Sequence, residues 1–148
     1  MSGLDDLLSG SGLAEKAVRI DDHLVRLQWG SAFVIAGISG SAVVAIAPLF
    51  RSLPSGKELA FMQKLLEHNA YMGGIASFAL QPDGWVVLHA GRALKGIDAQ
   101  EFATLIAGVG RFADQFDDLL VAEFYADNRA AVATQVSNDV SGQFPQTD

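Results

Sequence analysis

Three histidines are the side chains of this sequence best suited to acid–base catalysis or metal binding near neutral pH. His23 lies at the start of a predicted strand, His68 in the last turn of a predicted helix, and His89 at the end of a predicted hairpin. A catalytic or metal site would need them to converge, and their spacing indicates no convergence. We therefore predict no catalytic residues, no metal site and no cofactor.

The carboxylates offer little more chemistry. Adjacent positions on a helix or strand point in different directions, so neighbouring carboxylates make poor acid–base pairs. The adjacent pairs in this sequence are Asp5–Asp6, Asp21–Asp22 and Asp117–Asp118. Cysteine is absent, which excludes disulfides, thiolate metal sites and thiol nucleophiles.

The glycine-rich stretches do not form phosphate cradles. "GISGSA" lies between two predicted strands and "YMGGIA" ends a predicted helix, whereas a phosphate loop must open onto a helix N-terminus. "GVGR" lies inside a long predicted helix, where Gly108 and Gly110 are expected to allow close packing against a neighbouring element.

Charge narrows the choice of partners. Ten Lys and Arg stand against 17 Asp and Glu in 148 residues, giving a net charge of -7 with no basic cluster. A phosphate-backbone partner is therefore not expected, and we predict no nucleic-acid binding. The acidic start "MSGLDDLLSG" does not resemble a signal peptide. We expect one domain over residues 1–133 and a polar, aperiodic, disordered tail over residues 134–148.

Hydrophobic periodicity predicts an α+β fold with the order helix, three strands, helix, two strands, helix. A short, weak first helix carries Leu4, Leu7 and Leu8 on one side. "HLVRLQWG", "SAFVIAGIS" and "SAVVAIAPL" read as an antiparallel meander rather than a membrane span, because "SGS" interrupts the apolar run. "QPDG" predicts the turn of a later hairpin.

Two helices have recognisable boundaries. Ser55 with Glu58 predicts a capping box ahead of "ELAFMQKLLEHNAYM", and Gly73–Gly74 ends that helix. Asp98 with Glu101 predicts a second capping box, after which apolar residues recur at helical spacing to about Tyr125.

The second and third strands of the meander are apolar on both faces, with Phe33 and Ile35 on one side and Val34 and Ile38 on the other. Three helices would have difficulty covering both sides of such a sheet. Either the second face meets another subunit, or it awaits a partner. The alternative is that the first helix and the tail cover it.

The stretch from Lys57 to Leu120 resembles the class I type III secretion chaperones of the CesT family. A helix ends in Leu-Leu-x-x-Asn, a strand enters through Gly74, a turn contains Asp83–Gly84, and the last helix carries spaced apolar residues to Leu119–Leu120. The order of the elements also agrees, and YbjN-like proteins share a similar topology.

The resemblance implies a small, acidic, cytoplasmic homodimer without catalysis or membrane insertion. Such proteins bind the extended N-terminal segment of a secreted effector and keep it soluble until secretion. The candidate dimer interface, placed on the second helix by the family's habit of pairing through that helix and a nearby strand, comprises Leu59, Met62 and Leu66, with the core as their alternative placement. The candidate client-binding surface comprises Val25, Leu27, Trp29 and Phe33, with the core beneath the last helix as the alternative placement.

Two other function classes stay open on the sequence alone. One is a YbjN-like regulatory or protein-binding dimer with no secreted client. The other is an enzyme or small-ligand module. The sequence does not name the client.

Overall fold

The computed structural model describes residues 3–133, which form a six-stranded antiparallel sheet with three α-helices. The predicted α+β fold is confirmed, with one strand added before the predicted meander. The tail of residues 134–148 and its predicted disorder lie outside the described residues. Within the described range, no helix combines the length and apolar character needed to cross a membrane.

The elements follow one another in an order close to the predicted one. They are α1 (Gly3–Ser11), β1 (Ala17–Arg19), β2 (Leu24–Trp29), β3 (Ala32–Ser39), β4 (Ala42–Phe50), α2 (Glu58–Met72), β5 (Ser77–Leu80), β6 (Val86–Ala93), α3 (Ala99–Phe124) and a short 3₁₀ turn (Arg129–Ala131). The sheet order is β1-β2-β3-β4-β6-β5, and each neighbouring pair is antiparallel.

The two predicted capping boxes had different outcomes. Asp98 is the N-cap of α3, and its carboxylate accepts a 2.8 Å hydrogen bond from the Glu101 N–H, as predicted. The prediction for Ser55 is wrong, because α2 begins after Lys57 and has no side-chain cap. Ser55 and Gly56 instead belong to a turn, in which the Lys57 N–H donates a 3.0 Å hydrogen bond to the Pro54 carbonyl.

The helices lie on one face of the sheet, here called the helix face. Leu4, Leu7 and Leu8 of α1 join the main core together with the apolar stripe of α3. The α3 helix packs across β2, β3, β4 and β6, while α1 packs on α3. The first helix therefore does not cover the opposite side of the sheet.

The opposite side, here called the second face, has its own cluster. It comprises buried Leu24, Phe33, Ile35 and Ile46, with partly buried Ile20, Val44 and Trp85 packed against them. All seven come from strands or from the loops next to strands. The prediction that β3 and β4 are apolar on both faces is confirmed.

An aromatic cluster joins α2, β4 and the end of α3. The Tyr125 ring stacks on Phe50 with 4.1 Å between centroids, and Phe61 meets both rings edge-on. The Tyr125 hydroxyl donates a 2.7 Å hydrogen bond to the Ser52 carbonyl, and burial raises the pKa of the Tyr125 hydroxyl far above its usual range. The edge-on contacts of Phe61 with this stacked pair fix the start of α2 against the end of α3.

Candidate protein-binding surfaces

The residues predicted to bind a client do not form one surface. Val25, Leu27 and Trp29 share the helix face of β2, as their alternation predicted, and pack into the main core. Phe33 belongs to the second face. Val25 and Leu27 are each only 1% exposed, so these two residues lie in the core beneath the last helix, the alternative placement given above. Client binding by these four residues stays a prediction.

Trp29 is held by a close approach of β2 to α3. A Cβ atom added at Gly110 would lie 2.5 Å from the Trp29 ring, so only glycine leaves room for the indole at this point of the helix. Gly108 allows a similar approach one half-turn earlier, where an added Cβ would lie 2.8 Å from Ile75. The predicted close packing at both glycines is therefore confirmed.

The residues predicted to pair two subunits lie on the outer side of α2. Leu59 is 80% exposed, Leu66 is 69% exposed and Met62 is 37% exposed, whereas Phe61 and Leu65 on the inner side are buried. These positions follow the helical spacing of three and four residues, so Leu59, Met62 and Leu66 form one apolar stripe. Within the described residues this stripe is not part of the core, although pairing of subunits through it stays a prediction.

Other large apolar side chains are also exposed. They are Tyr71, Ile75, Leu80 and Leu119, each at least 45% exposed. Single exposed apolar residues are ordinary in monomers. The stripe on α2 groups three such residues on one side of one helix, which is more typical of a protein-binding surface.

The two edges of the sheet differ. At the β5 edge, the Asn69 side chain accepts a 2.7 Å hydrogen bond from the Phe78 N–H and donates a 3.4 Å bond to the Phe78 carbonyl. The Asn69 amide therefore imitates a neighbouring strand, and this gives a physical role to the Leu-Leu-x-x-Asn motif. The β1 edge is only three residues long, and Val18 in its middle is 65% exposed.

A cavity of about 180 Å³ lies where the chain leaves α3 and returns to the sheet. Its lining includes Ser31, Phe33, Asp117 and Val132. The Ser31 N–H donates to the Asp114 carboxylate at 2.9 Å, and the Ser31 hydroxyl, 2.9 Å from that carboxylate and 2.7 Å from the Asp117 carboxylate, can donate its one proton to either, which ties the β2–β3 turn to α3. Burial is the main cause that raises the pKa of the Asp117 carboxyl above its usual range, and the hydrogen bond from Ser31 opposes it.

The histidines stay apart, in three different regions of the fold. The His68 ring stacks on Phe116 at 4.2 Å, and its pKa is lowered by burial and then by the nearby Lys64 charge. His89 lies on β6 opposite Ile46, and burial lowers its pKa. Residues 3–133 contain no group of three or more metal-binding side chains placed to hold an ion.

Comparison with known proteins gives a fold and no family. The sequence matches no family model and no curated protein. Among solved structures, the heterodimeric ExoU-SpcU complex from the type III secretion system of Pseudomonas aeruginosa aligns with 20% identity and a TM-score of 0.55. That alignment covers 67% of this chain and 84% of the other.

Two further structures have a similar fold. The ExsC-ExsE complex aligns with 16% identity and a TM-score of 0.57, over 79% of this chain and 92% of that one. YbjN from E. coli, described as a putative transcription regulator, aligns with 14% identity and a TM-score of 0.53, over 88% of this chain and 93% of that one. The fold expected from the resemblance to secretion chaperones and YbjN-like proteins is therefore confirmed.

Proposed function

We propose that this chain is a non-catalytic, chaperone-like protein that forms a homodimer in the cytoplasm. It binds the extended N-terminal segment of a secreted effector and keeps that segment soluble. The observation that carries the proposal is the exposed apolar stripe of α2, on a fold whose solved relatives include two protein complexes. One of those complexes comes from a type III secretion system.

The stripe supports pairing of two copies. Leu59 and Leu66 extend into solvent from one side of α2, so a second copy could bury both by placing its own α2 alongside in a two-fold arrangement. Burying each leucine contributes about 1.5–3 kcal/mol. Pairing therefore removes apolar surface that would otherwise favour non-specific association.

The sheet supports client binding by strand addition at its β1 edge. An extended peptide adds backbone hydrogen bonds to an edge strand while its alternate side chains enter apolar sites. The β5 edge is less suited to this mode, because the Asn69 amide already pairs with Phe78. The net charge of -7 favours a client segment that carries basic residues.

Two measurements test the proposal. Light scattering at micromolar concentration should give twice the monomer mass of 15.7 kDa, and a monomer mass would contradict the dimer. Leu59→Glu with Leu66→Glu should give a folded monomer, while Glu58→Gln with Glu67→Gln on the same helix should leave the dimer intact.

The client is tested by co-purification from the native cell with mass spectrometry, followed by titration of a purified client segment. A secreted protein bound through its N-terminal segment would support the proposal. Binding only of a protein that is not secreted would favour the alternative, a YbjN-like regulatory or protein-binding dimer. That alternative is supported by the likeness to YbjN, which spans 88% of this chain.

A further inference from the structure

The turn between β2 and β3 is held against α3 by a short chain of oxygen atoms. The Ser31 Oγ lies 2.9 Å from Asp114 Oδ1 and 2.7 Å from Asp117 Oδ2. The Ser31 N–H donates to the same Asp114 oxygen at 2.9 Å. Gly30 has a φ of 58°, and a Cβ atom at this position would overlap the Asp114 carboxylate. Asp114 and Asp117, which are neighbours on the surface of α3, therefore both contact one serine of a tightly placed turn.

This oxygen chain contains too few protons if both carboxyl groups are ionised. A serine hydroxyl has one proton to donate, and an ionised carboxylate has none. The two contacts of Ser31 Oγ, at 2.7 and 2.9 Å, are both within hydrogen-bonding distance of a carboxyl oxygen. Both can be hydrogen bonds only if a second proton lies in the chain. Without that proton, one contact would place a carboxylate oxygen against a lone pair of the hydroxyl oxygen, which is repulsive.

The second proton fits Asp117 better than Asp114. Asp114 Oδ1 receives the Ser31 N–H as well as the hydroxyl contact, which suits an ionised group. Asp117 Oδ1 accepts a 2.7 Å hydrogen bond from the Asp118 N–H, so its Oδ2 is the atom that can carry a proton and donate it to Ser31. Asp117 is also the less exposed of the two carboxyl groups.

The electrostatic surroundings of Asp117 act in the same direction. Burial is the largest cause that raises the pKa of the Asp117 carboxyl above its ordinary value of 3.8, and the charges of Asp118 and Asp114 add to it. A hydrogen bond from the Ser31 hydroxyl would lower that pKa, but Asp114 competes for the same proton. Among the described residues that line the cavity beside Asp117, Asp118 and Arg129 are the other charged ones, while the lining from β4 is apolar.

We propose that one proton shared by Asp114, Ser31 and Asp117 holds the β2–β3 turn onto α3, and that loss of this proton releases the contact between Ser31 and Asp117. The single hydroxyl proton then serves only one carboxylate, and the other one repels Ser31 Oγ. Asp117 turns away from Ser31 towards the Arg129 guanidinium, while the bond from the Ser31 N–H to Asp114 remains. The cavity widens on this side, because Ser31 and Asp117 both line it. This proposal does not depend on the proposed client or on the dimer.

The contact closes in acid and opens as the pH rises. Because the pKa of Asp117 is raised in the folded chain, its protonation contributes stability that is fully present below the ordinary value of 3.8 and is lost as the pH rises through the folded-state pKa. His68 and His89, whose pKa values are lowered, have the opposite sign. Global stability therefore does not isolate this contact, and the carboxyl group itself must be observed.

A titration of the isotope-enriched full chain, followed by nuclear magnetic resonance, observes it directly. We expect the side-chain carboxyl carbon of Asp117 and the amide N–H of Ser31 to change with one common midpoint, above the ordinary carboxyl value of 3.8. A midpoint of Asp117 at or below that value would overturn the proposal. So would a Ser31 signal that does not follow the Asp117 carboxyl.

Asp117→Asn tests whether the proton controls the turn. The asparagine amide can donate to Ser31 Oγ at every pH and does not titrate. This variant should therefore keep the Ser31 signal at its low-pH position across the titration. If Ser31 still titrates with the midpoint of the parent chain, another group moves the turn and the proposal fails.

A pair of matched variants separates a shared proton from simple charge repulsion. Asp114→Asn leaves the hydroxyl proton of Ser31 free for Asp117, so the Asp117 midpoint should fall by about 1 pH unit, a tenfold loss of proton affinity. Asp118→Asn removes the charge that raises the pKa of Asp117 more strongly than Asp114 does, but its side chain is not part of the oxygen chain. A shared proton gives the larger change in Asp114→Asn. An equal or larger change in Asp118→Asn would overturn the proposal.

Discussion

The Trp29 indole lies directly against Gly110 of α3, so close that a methyl group on the helix at this position would overlap the ring. The contact fixes the distance between β2 and α3 at the end of the strand. The Lys16 ammonium lies over the same indole ring, 5.9 Å from its centroid.

Gly110→Ala should therefore destabilise the fold, although alanine is the better helix former by about 1 kcal/mol. Overpacking of this kind costs about 1–3 kcal/mol, measured as the free energy of unfolding in urea. Trp29→Val removes the ring and should convert Gly110→Ala into a neutral or stabilising change in the double variant. If Gly110→Ala is equally harmful with and without the ring, the contact is not the cause.

Asn69 is expected to stabilise the edge of the sheet through its two bonds to Phe78. Asn69→Ala leaves the partly buried Phe78 N–H without its acceptor and should lower the free energy of unfolding by about 1–3 kcal/mol. Gln63→Ala is the matched control, because Gln63 is exposed on the same helix and makes a 3.4 Å bond to the exposed Glu67. Equal small effects of the two changes would show that Asn69 contributes little to β5.

Substituting Leu27 and Leu59 by alanine should show which of the predicted site residues stabilise the core and which lie on the surface. Leu27→Ala creates a cavity under α3 and should cost about 2–5 kcal/mol of stability. Leu59→Ala, at an exposed position, should change the stability of the monomer by less than about 0.5 kcal/mol and weaken pairing of subunits instead. Urea unfolding at several protein concentrations measures both. If Leu27→Ala is as stable as the parent chain but binds the client more weakly, Leu27 belongs to the client-binding surface.

Stability should fall as the pH drops below about 6.5 because of two partly buried histidines. Burial lowers the pKa of His89 below its ordinary value of 6.5, so the unfolded chain takes up its proton first. The stabilisation is complete above the ordinary value and is lost as the pH falls towards the folded-state pKa. His68, whose pKa is lowered by burial and by Lys64, acts in the same direction.

The check is the pH dependence of the melting temperature in three proteins. His89→Gln and His68→Gln should each flatten the profile relative to the parent chain. If the melting temperature of the parent chain rises from pH 7 to pH 5, and this rise is lost in His89→Gln, the pH dependence is opposite to the one expected.

Features that depend on neighbouring residues in the sequence could be predicted from the sequence alone. The Asp98 cap, the apolar stripe of α3, the turn at Asp83–Gly84 and the end of α2 at Gly73 each rest on local geometry. The two-sided apolar character of β3 and β4 could also be predicted, because alternation in a strand assigns side chains to opposite faces. Strand β1 was missed, since three residues carry too little pattern.

Which apolar side is covered was decided only by the tertiary structure. Helix α2 has apolar residues on two sides, and the aromatic contacts of Phe61 with Phe124 and Tyr125 turn Phe61 and Leu65 inward, leaving Leu59 and Leu66 outside. In the same way, α3 packs on the Val25 and Leu27 side of the sheet and leaves Phe33 on the other. Periodicity specifies faces, but the burial of a face depends on elements far away in the sequence that a local pattern does not contain.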